Sequence, residues 1–155
     1  MTKEKAQELI QVMKRIIKVN EYSLPSIGET NSIPLQSESS TRDKFKVYVN
    51  RKSRIVEGKY TLLLHYPEED LLRIDVNGRD HMNPDGTIVP CPHIHMRSKD
   101  TGPWDRWAFD LPAVFGDTED CLTTLKDFLQ YCHVNNISQL IICEQKEFLN
   151  GETGS

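Results

Sequence analysis

The sequence predicts an α+β fold in which an N-terminal helix, an antiparallel β-meander sheet and a C-terminal helix packed on that sheet follow one another. Two observations carry this prediction. Apolar residues recur at helical spacing near both ends of the chain, and they alternate with polar residues in the middle. At 155 residues the chain is long enough to bury one hydrophobic core, so we expect a single domain over 1–155.

The first helix is expected to begin after Thr2, a residue type that caps helix N-termini, and to end near Asn20. Its apolar face consists of Ala6, Leu9, Ile10, Met13, Ile16 and Ile17. Residues 22–42 are rich in Ser, Thr, Pro and Gly. They are expected to form a flexible connection with one short strand around Ile33 to Gln36.

The sheet is predicted from alternation. Phe45, Val47 and Val49 alternate with polar residues, which is the pattern of a half-buried strand. Further strands are expected at Lys59 to Tyr66, Leu71 to Val76, and Trp104 to Asp110. The short polar link at 67–70 favours an antiparallel hairpin.

The second helix is expected to begin at Asp117 or Thr118, where acidic residues suit the first turn. Its apolar face consists of Leu122, Leu125, Phe128, Leu129 and Cys132. A short apolar strand is expected at Ile137 to Cys143, and residues 150–155 are expected to form a loose tail.

Composition indicates a globular protein of the cytoplasm. No apolar run is long enough to span a membrane, and the charged N-terminal segment lacks the apolar core of a signal peptide. No membrane association is therefore expected. The four cysteines are expected to be reduced, because nothing marks the chain as secreted.

Charge is distributed unevenly along the chain. Residues 1–60 hold 12 Lys+Arg against 7 Asp+Glu, and residues 61–155 hold 7 against 16, which gives +5 and −9. An acidic surface favours a basic protein partner and disfavours direct binding of nucleic acid. The same charges also suit an ordinary solvated surface.

The strongest chemical signal is a cluster of metal-ligand residue types around the turn Pro84-Asp85-Gly86. His81, Cys91, His93 and His95 fall within fifteen residues. Imidazole and thiolate are the ligands that zinc prefers, and His93 and His95 share one face of an extended strand. The sequence therefore predicts a zinc site.

Cys91 is the least secure of these ligands, because it would lie roughly 13 Å from His95 along a straight strand. Asp80, Asp85 or a water would then complete the tetrahedron. In the alternative without a metal, the histidines bind backbone carbonyl groups.

Two other functions remain open on the residues alone. Metal-assisted hydrolysis would use the same histidines, with Asp80 or Asp85 as the base. A nucleic-acid-binding regulator would use the basic segment from Lys44 to Arg54. Neither a Gly-rich phosphate loop after a strand nor a Gly-x-Ser-x-Gly elbow occurs.

Candidate contacts with a partner protein are inferred from residue type. Trp104 and Arg106 have the chemistry of interface hot spots. Clustered acids offer complementary charge to a basic partner; these are Glu68, Glu69 and Asp70, and Asp117, Glu119 and Asp120.

Four sequence blocks together resemble a family of small phage and prophage proteins that includes type II-A anti-CRISPR proteins. The blocks are Asp75-Val76-Asn77-Gly78, His81-x-Asn83-Pro84-Asp85-Gly86, Val89-Pro90-Cys91-Pro92-His93-Ile94-His95 and Trp107-Ala108-Phe109-Asp110-Leu111-Pro112. In layout the resemblance covers residues 1–145, and the block from His81 to His95 is its specific part.

The resemblance implies an intracellular, non-enzymatic protein that acts on a partner in the cytoplasm of a bacterial host cell. The implied partner is a type II-A CRISPR effector nuclease. The implied effect is to block either the loading of target DNA onto this nuclease or the cleavage of that DNA. It also implies that His81, Cys91, His93 and His95 hold a structural zinc ion. Because such nucleases are basic where they hold nucleic acid, an acidic inhibitor surface is consistent with this implication.

Overall fold

The structure, a computed structural model, describes residues 1–18, 20–52 and 58–143. Arg54 of the predicted basic segment and the tail at 150–155 lie outside these residues. The fold is α+β, with a large antiparallel sheet and two α-helices, as the sequence predicts. In the described ranges, no helix has both the length and the apolar character needed to cross a membrane.

The helices are α1 (Lys3–Gln11) and α2 (Cys121–Tyr131), with short 3₁₀ helices at Trp104–Arg106 and Ile137–Gln139. The strands are β1 (Lys14–Ile16), β2 (Glu21–Ser23), β3 (Thr30–Ser37), β4 (Lys44–Asn50), β5 (Tyr60–His65), β6 (Leu72–Val76), β7 (His81–Met82), β8 (Ile88–Val89), β9 (His93–Met96), β10 (Ala108–Asp110) and β11 (Ile141–Cys143). The main sheet has seven strands in the order β1-β3-β4-β5-β6-β9-β10, and each neighbouring pair is antiparallel. The small strands pair separately, β7 with β8 as a hairpin and β2 with β11 in parallel.

One face of the main sheet forms the core. Alternate residues of β3 to β6 are buried, as the period of two along a strand requires. Both helices contribute to the same apolar cluster, α1 through Ala6, Leu9 and Ile10 and α2 through Leu125, Phe128 and Leu129. The opposite face of β4, β5 and β6 carries half-buried or exposed side chains, which are polar or aromatic except for Leu63.

The first helix is shorter than predicted. Thr2 caps it, with its hydroxyl oxygen accepting from the Lys5 backbone N–H at 3.0 Å, but the helix ends at Gln11. Residues Lys14–Ile16 instead form β1, which pairs with β3. Its β-branched Ile16 favours a strand, and the pairing partners lie 19 to 23 residues away.

Two further predictions were wrong in detail. The segment at 22–42, expected to hold one short strand, contains β2 and the eight residues of β3, which pairs with strands on both sides. The continuous strand expected at Trp104 to Asp110 is a 3₁₀ helix followed by the short β10. The strands are set by long-range pairing, β3 with β1 and β4, and β10 with β9. The local composition does not reveal these pairs.

Lys14 is fully buried at the junction of the two helices. Its ammonium group donates to the carbonyl oxygens of Ile10 at 2.7 Å, Val12 at 2.9 Å and Cys132 at 2.9 Å. These carbonyls belong to the C-terminal ends of α1 and α2, where the helix dipoles are negative. One side chain therefore caps both helices, and its nitrogen also lies 4.9 Å from the centroid of the Phe45 ring.

Side-chain amides protect both edges of the main sheet. Asn136 binds both backbone groups of Ile16 on β1, at 2.8 and 3.1 Å. Asn83 does the same to Ala108 on β10, at 2.8 and 3.0 Å. Each amide takes the place of a neighbouring strand, which blocks pairing with another chain at that residue.

We expect Lys14→Met to lower the free energy of unfolding by about 2 kcal/mol at pH 7, because three carbonyl groups lose their donor. Burial lowers the pKa of Lys14 to about 8 in the folded chain. Between pH 8 and 10.5 the unfolded chain therefore binds more protons at this position. The wild type should gain stability relative to the variant over that range, by up to about 3 kcal/mol.

Urea unfolding of both proteins at steps from pH 7 to pH 10 measures this difference. Tyr22 and Tyr60 titrate in both proteins, so their contributions cancel in the comparison. A difference in unfolding free energy that stays flat or falls above pH 8 would contradict the prediction.

Candidate metal centre

The candidate site lies where β6 pairs with β9, on the face of the sheet opposite the core. In this antiparallel register Asp75 lies opposite His93, and Arg73 lies opposite His95. The residues between them point the other way, and Ile94 belongs to the core. One pair of strands therefore supplies both the core and the site.

Asp75 contacts both histidines through one oxygen. Its Oδ2 lies 3.2 Å from His93 Nε2 and 3.1 Å from His95 Nε2. Among the described residues, these three side chains form a group whose ligand atoms all lie within 4.8 Å of one another. The two histidine side chains are only 2% exposed, and the Asp75 side chain is 18% exposed.

The other ring nitrogen of each histidine faces a backbone carbonyl. His93 Nδ1 lies 3.2 Å from the oxygen of Val89, and His95 Nδ1 lies 3.0 Å from the oxygen of Asp105. Because a carbonyl oxygen only accepts, each Nδ1 carries the hydrogen. In the neutral rings the Nε2 atoms that face Asp75 then carry lone pairs.

With both rings neutral, three electron-pair donors thus converge on one point. Protonating both rings would gather two imidazolium ions and the Arg73 guanidinium around one carboxylate in a largely buried place, which is costly. A metal cation between neutral rings and the carboxylate would accept all three electron pairs. Ligands of a tetrahedral zinc ion lie about 3.3 Å apart when the bonds are about 2.0 to 2.1 Å long, close to the nitrogen–oxygen separations here.

Arg73 holds the Asp75 carboxylate in place. Its Nε donates to Oδ1 at 2.7 Å and its Nη2 donates to Oδ2 at 3.1 Å. Burial raises the pKa of Asp75, the hydrogen bonds and positive charge of Arg73 lower it, and that pKa lies below its usual range. Asp75 is therefore an anionic ligand group with a fixed orientation.

His81 and Cys91 adjoin this group without belonging to it. His81 Nε2 donates to the Arg106 carbonyl at 2.7 Å, and its ring centroid lies 4.7 Å from that of His95. The Cys91 sulfur lies 3.6 Å from His93 Nδ1, and burial raises the pKa of this thiol. Since β9 begins only at His93, Cys91 is not aligned with the histidines on the strand face. Of the four predicted ligands, only His93 and His95 lie in the group.

Asp75 is the member that sequence reasoning missed. Asp80 and Asp85 were the expected carboxylates, but Asp80 is exposed and Asp85 accepts from the Thr87 backbone N–H at 2.9 Å in the hairpin turn. The available signal was an aspartate inside the apolar alternation of Leu72–Val76, because aspartate is depleted in strands.

An open groove of about 770 Å³ reaches the group across the free face of the sheet. Asp75, His93 and His95 line it at one end, together with His81 and Asp80. The groove continues over β5 and β4; the side chains that line it there include Thr61, Leu63, His65, Tyr48 and Asn50.

Comparison with known proteins identifies the family. Residues 1–134 match the model of DUF6978, described as a family of unknown function. The chain belongs to the DUF6978 family. Neither a curated protein nor a solved structure matches it. Because the description of DUF6978 names no activity, the resemblance to anti-CRISPR proteins stays a prediction.

In this DUF6978 chain, two of the six predicted acidic contacts already pair with an arginine or histidine side chain of the protein. Glu69 binds the buried Arg97 in a bidentate pair, with distances of 2.6 and 2.8 Å. Asp70 Oδ1 lies 2.6 Å from His65 Nδ1. Glu68 is exposed, so the predicted cluster divides into one free and two engaged side chains.

The remaining predicted contacts are also divided. The second acidic cluster is exposed throughout. Asp120 is the N-cap residue of α2 and accepts from the Thr123 hydroxyl at 2.5 Å, and Asp117 accepts from the Glu119 backbone N–H at 3.0 Å. Trp104 is half-buried, with its ring 5.9 Å from the Arg73 guanidinium. Arg106 has an exposed side chain, and its carbonyl binds His81.

We expect Glu69→Ala to lower the free energy of unfolding by about 3 kcal/mol, because it leaves the Arg97 guanidinium buried without its carboxylate. The neighbouring Glu68→Ala should change it by less than about 0.5 kcal/mol, because that side chain is exposed. Chemical unfolding of the two variants measures both values. Equal effects would show that the Glu69–Arg97 pair contributes nothing to stability.

Proposed function

We propose that this DUF6978 chain is a metal-dependent protein whose centre, formed by Asp75, His93 and His95, has the design of a hydrolytic site. The observation that carries the proposal is the convergence of two histidine Nε2 atoms and one carboxylate oxygen. Zinc is the expected ion, because two imidazoles and a carboxylate are a ligand set that zinc uses in enzymes.

The number of ligands favours an open centre over a closed one. Structural zinc sites have four protein ligands, whereas catalytic sites have three and bind water or substrate in the fourth position. The ligand atoms of His81 and Cys91 are outside the group of three, and the groove adjoins that group. A bound zinc ion supplies an acidified water and polarises a substrate oxygen.

The chain's own residues would prepare this chemistry. The carbonyl oxygens of Val89 and Asp105 keep both Nδ1 atoms protonated, which directs both Nε2 lone pairs at one point. Arg73 orients the Asp75 carboxylate. Asp80 lines the same groove with an exposed carboxylate and is the candidate base, whereas Asp85 is engaged in the hairpin turn.

We expect the protein, purified without chelator, to contain one equivalent of zinc by elemental mass spectrometry. His93→Ala, His95→Ala and Asp75→Asn should each lower zinc affinity by at least about tenfold. Cys91→Ser and His81→Ala should retain the metal. The exposed His133 is remote in sequence from the group, so His133→Asn is the matched control for loss of a histidine.

The hydrolytic part of the proposal needs turnover as well as metal. With a panel of carboxylic and phosphoric esters, the zinc-loaded wild type should show activity that a chelator abolishes. Asp80→Asn should lose that activity and keep its zinc. If the purified wild type contains no transition metal, the proposed metal centre is refuted. If it contains zinc but hydrolyses none of the esters, only the hydrolytic role is refuted.

Inhibition of a type II-A CRISPR effector nuclease is the second candidate function. It is favoured by three predicted acidic contacts, Glu68, Asp117 and Glu119, which are exposed and form no ion pair within the described ranges. Such carboxylates are available to a basic partner surface.

We expect an inhibitor to form a complex with guide-loaded effector on size exclusion and to suppress cleavage of target DNA near stoichiometric ratios. Reversing Glu68, Asp117 and Glu119 to Lys should weaken the complex, and added salt should weaken it too. Lys126→Glu on α2 serves as a charge-reversal control of opposite sign. Absence of both complex and inhibition with several effectors would exclude this function and leave the metal prediction intact.

A further inference from the structure

Three cationic side chains gather at the end of the groove that holds the metal-ligand group. Lys52 follows the end of β4, Lys59 precedes β5, and Arg79 follows the end of β6. In the strand register Asn50 lies opposite Thr61, and Thr61 lies opposite Asp75, so these chain ends meet at one end of the sheet. All three cations line the groove.

The charges of this end are unbalanced within the described part of the chain. Asp70 pairs with His65 and Asp75 pairs with Arg73, which leaves the three cations facing Asp80 in the groove. No described carboxylate forms an ion pair with Lys52, Lys59 or Arg79. This end of the groove is therefore suited to an anion, and a metal ion beside it would add to the attraction.

The other end of the groove has a different character. Tyr48 is half-buried on the free face, with its ring 5.6 Å from that of His65, and Leu63 lies directly opposite it on β5. An aromatic ring beside an apolar side chain is a surface on which planar rings stack. From strand spacing, the Cα atoms of Tyr48 and Asp75 are roughly 12 Å apart.

From these two ends we infer that the groove binds a phosphate ester with a planar ring, of the size of a nucleoside monophosphate. The phosphate contacts Lys52, Lys59 and Arg79 beside the metal centre, and the ring stacks on Tyr48. A groove of about 770 Å³ is in the size range of small-molecule sites. The inference rests on the proposed function for one contact only, the contact between the phosphate and the metal ion.

The test is calorimetric titration of the full chain, loaded with one equivalent of zinc, with adenosine monophosphate, inorganic phosphate and adenosine. We expect adenosine monophosphate to bind more tightly than either fragment. Lys59→Ala and Arg79→Ala should each weaken binding of the monophosphate and of phosphate about tenfold, because each removes a charge-assisted contact. Tyr48→Ala should weaken the monophosphate about fivefold and leave phosphate unchanged.

Lys126→Ala is the matched control, because it removes the same charge from an exposed position on α2 and should leave all affinities unchanged. Thermal melting checks that each variant folds, and zinc is measured in the same samples. If the zinc-loaded protein binds neither adenosine monophosphate nor inorganic phosphate, the inference is overturned and the proposed metal centre is unaffected. Protein without zinc that still binds the monophosphate through Lys59 and Arg79 supports the inference and refutes the metal centre.

Two further outcomes would overturn the inference. In one, a short single-stranded oligonucleotide binds but adenosine monophosphate does not, which would indicate a nucleic-acid surface. In the other, Lys59→Ala and Arg79→Ala bind as tightly as Lys126→Ala, which would place the anion elsewhere.

Discussion

The register between β6 and β9 is the constraint on which both the core and the site depend. It sets Asp75 opposite His93 and Arg73 opposite His95 on one face, while Leu72, Ile74 and Ile94 enter the core on the other. Because side chains alternate along a strand, a slip of one residue would bury the charged pair in the core and expose the apolar residues. Burial of the core therefore holds the ligand group in alignment, and no separate element is needed to position it.

Segments outside the sheet complete the site. Val89 on β8 and Asp105 in the 3₁₀ helix provide the carbonyl oxygens that set the tautomers of His93 and His95. Asn83 attaches the hairpin to the edge strand through both backbone groups of Ala108, which lies opposite His95. A short strand pair that could not be stable alone is thus fixed over the histidines, which explains how they are buried on a face that elsewhere forms a groove.

Local periodicity accounts for the elements that the sequence predicts correctly. The alternation of Phe45, Val47 and Val49 gives β4, and the helical spacing of Leu125, Phe128 and Leu129 gives α2. Contacts between residues far apart in the chain leave no such pattern. Helical spacing extended α1 to Ile17, yet Lys14 and Ile16 join β1, because Lys14 reaches the Cys132 carbonyl 118 residues away. Asp75 was missed for the same reason, since its place opposite His93 depends on strand register alone.

A comparison of three polar clusters that are buried or nearly so shows why the cluster at Asp75 suggests chemistry. At Lys14, three N–H donors meet three carbonyl acceptors. At Arg97, the guanidinium meets the Glu69 carboxylate and a backbone carbonyl, again donor to acceptor. At Asp75, the carbonyl partners of His93 and His95 leave lone pairs facing a carboxylate. The first two clusters are complete as they stand and explain stability. With both imidazole rings neutral, the third would be completed by a metal cation, and for that reason it suggests chemistry.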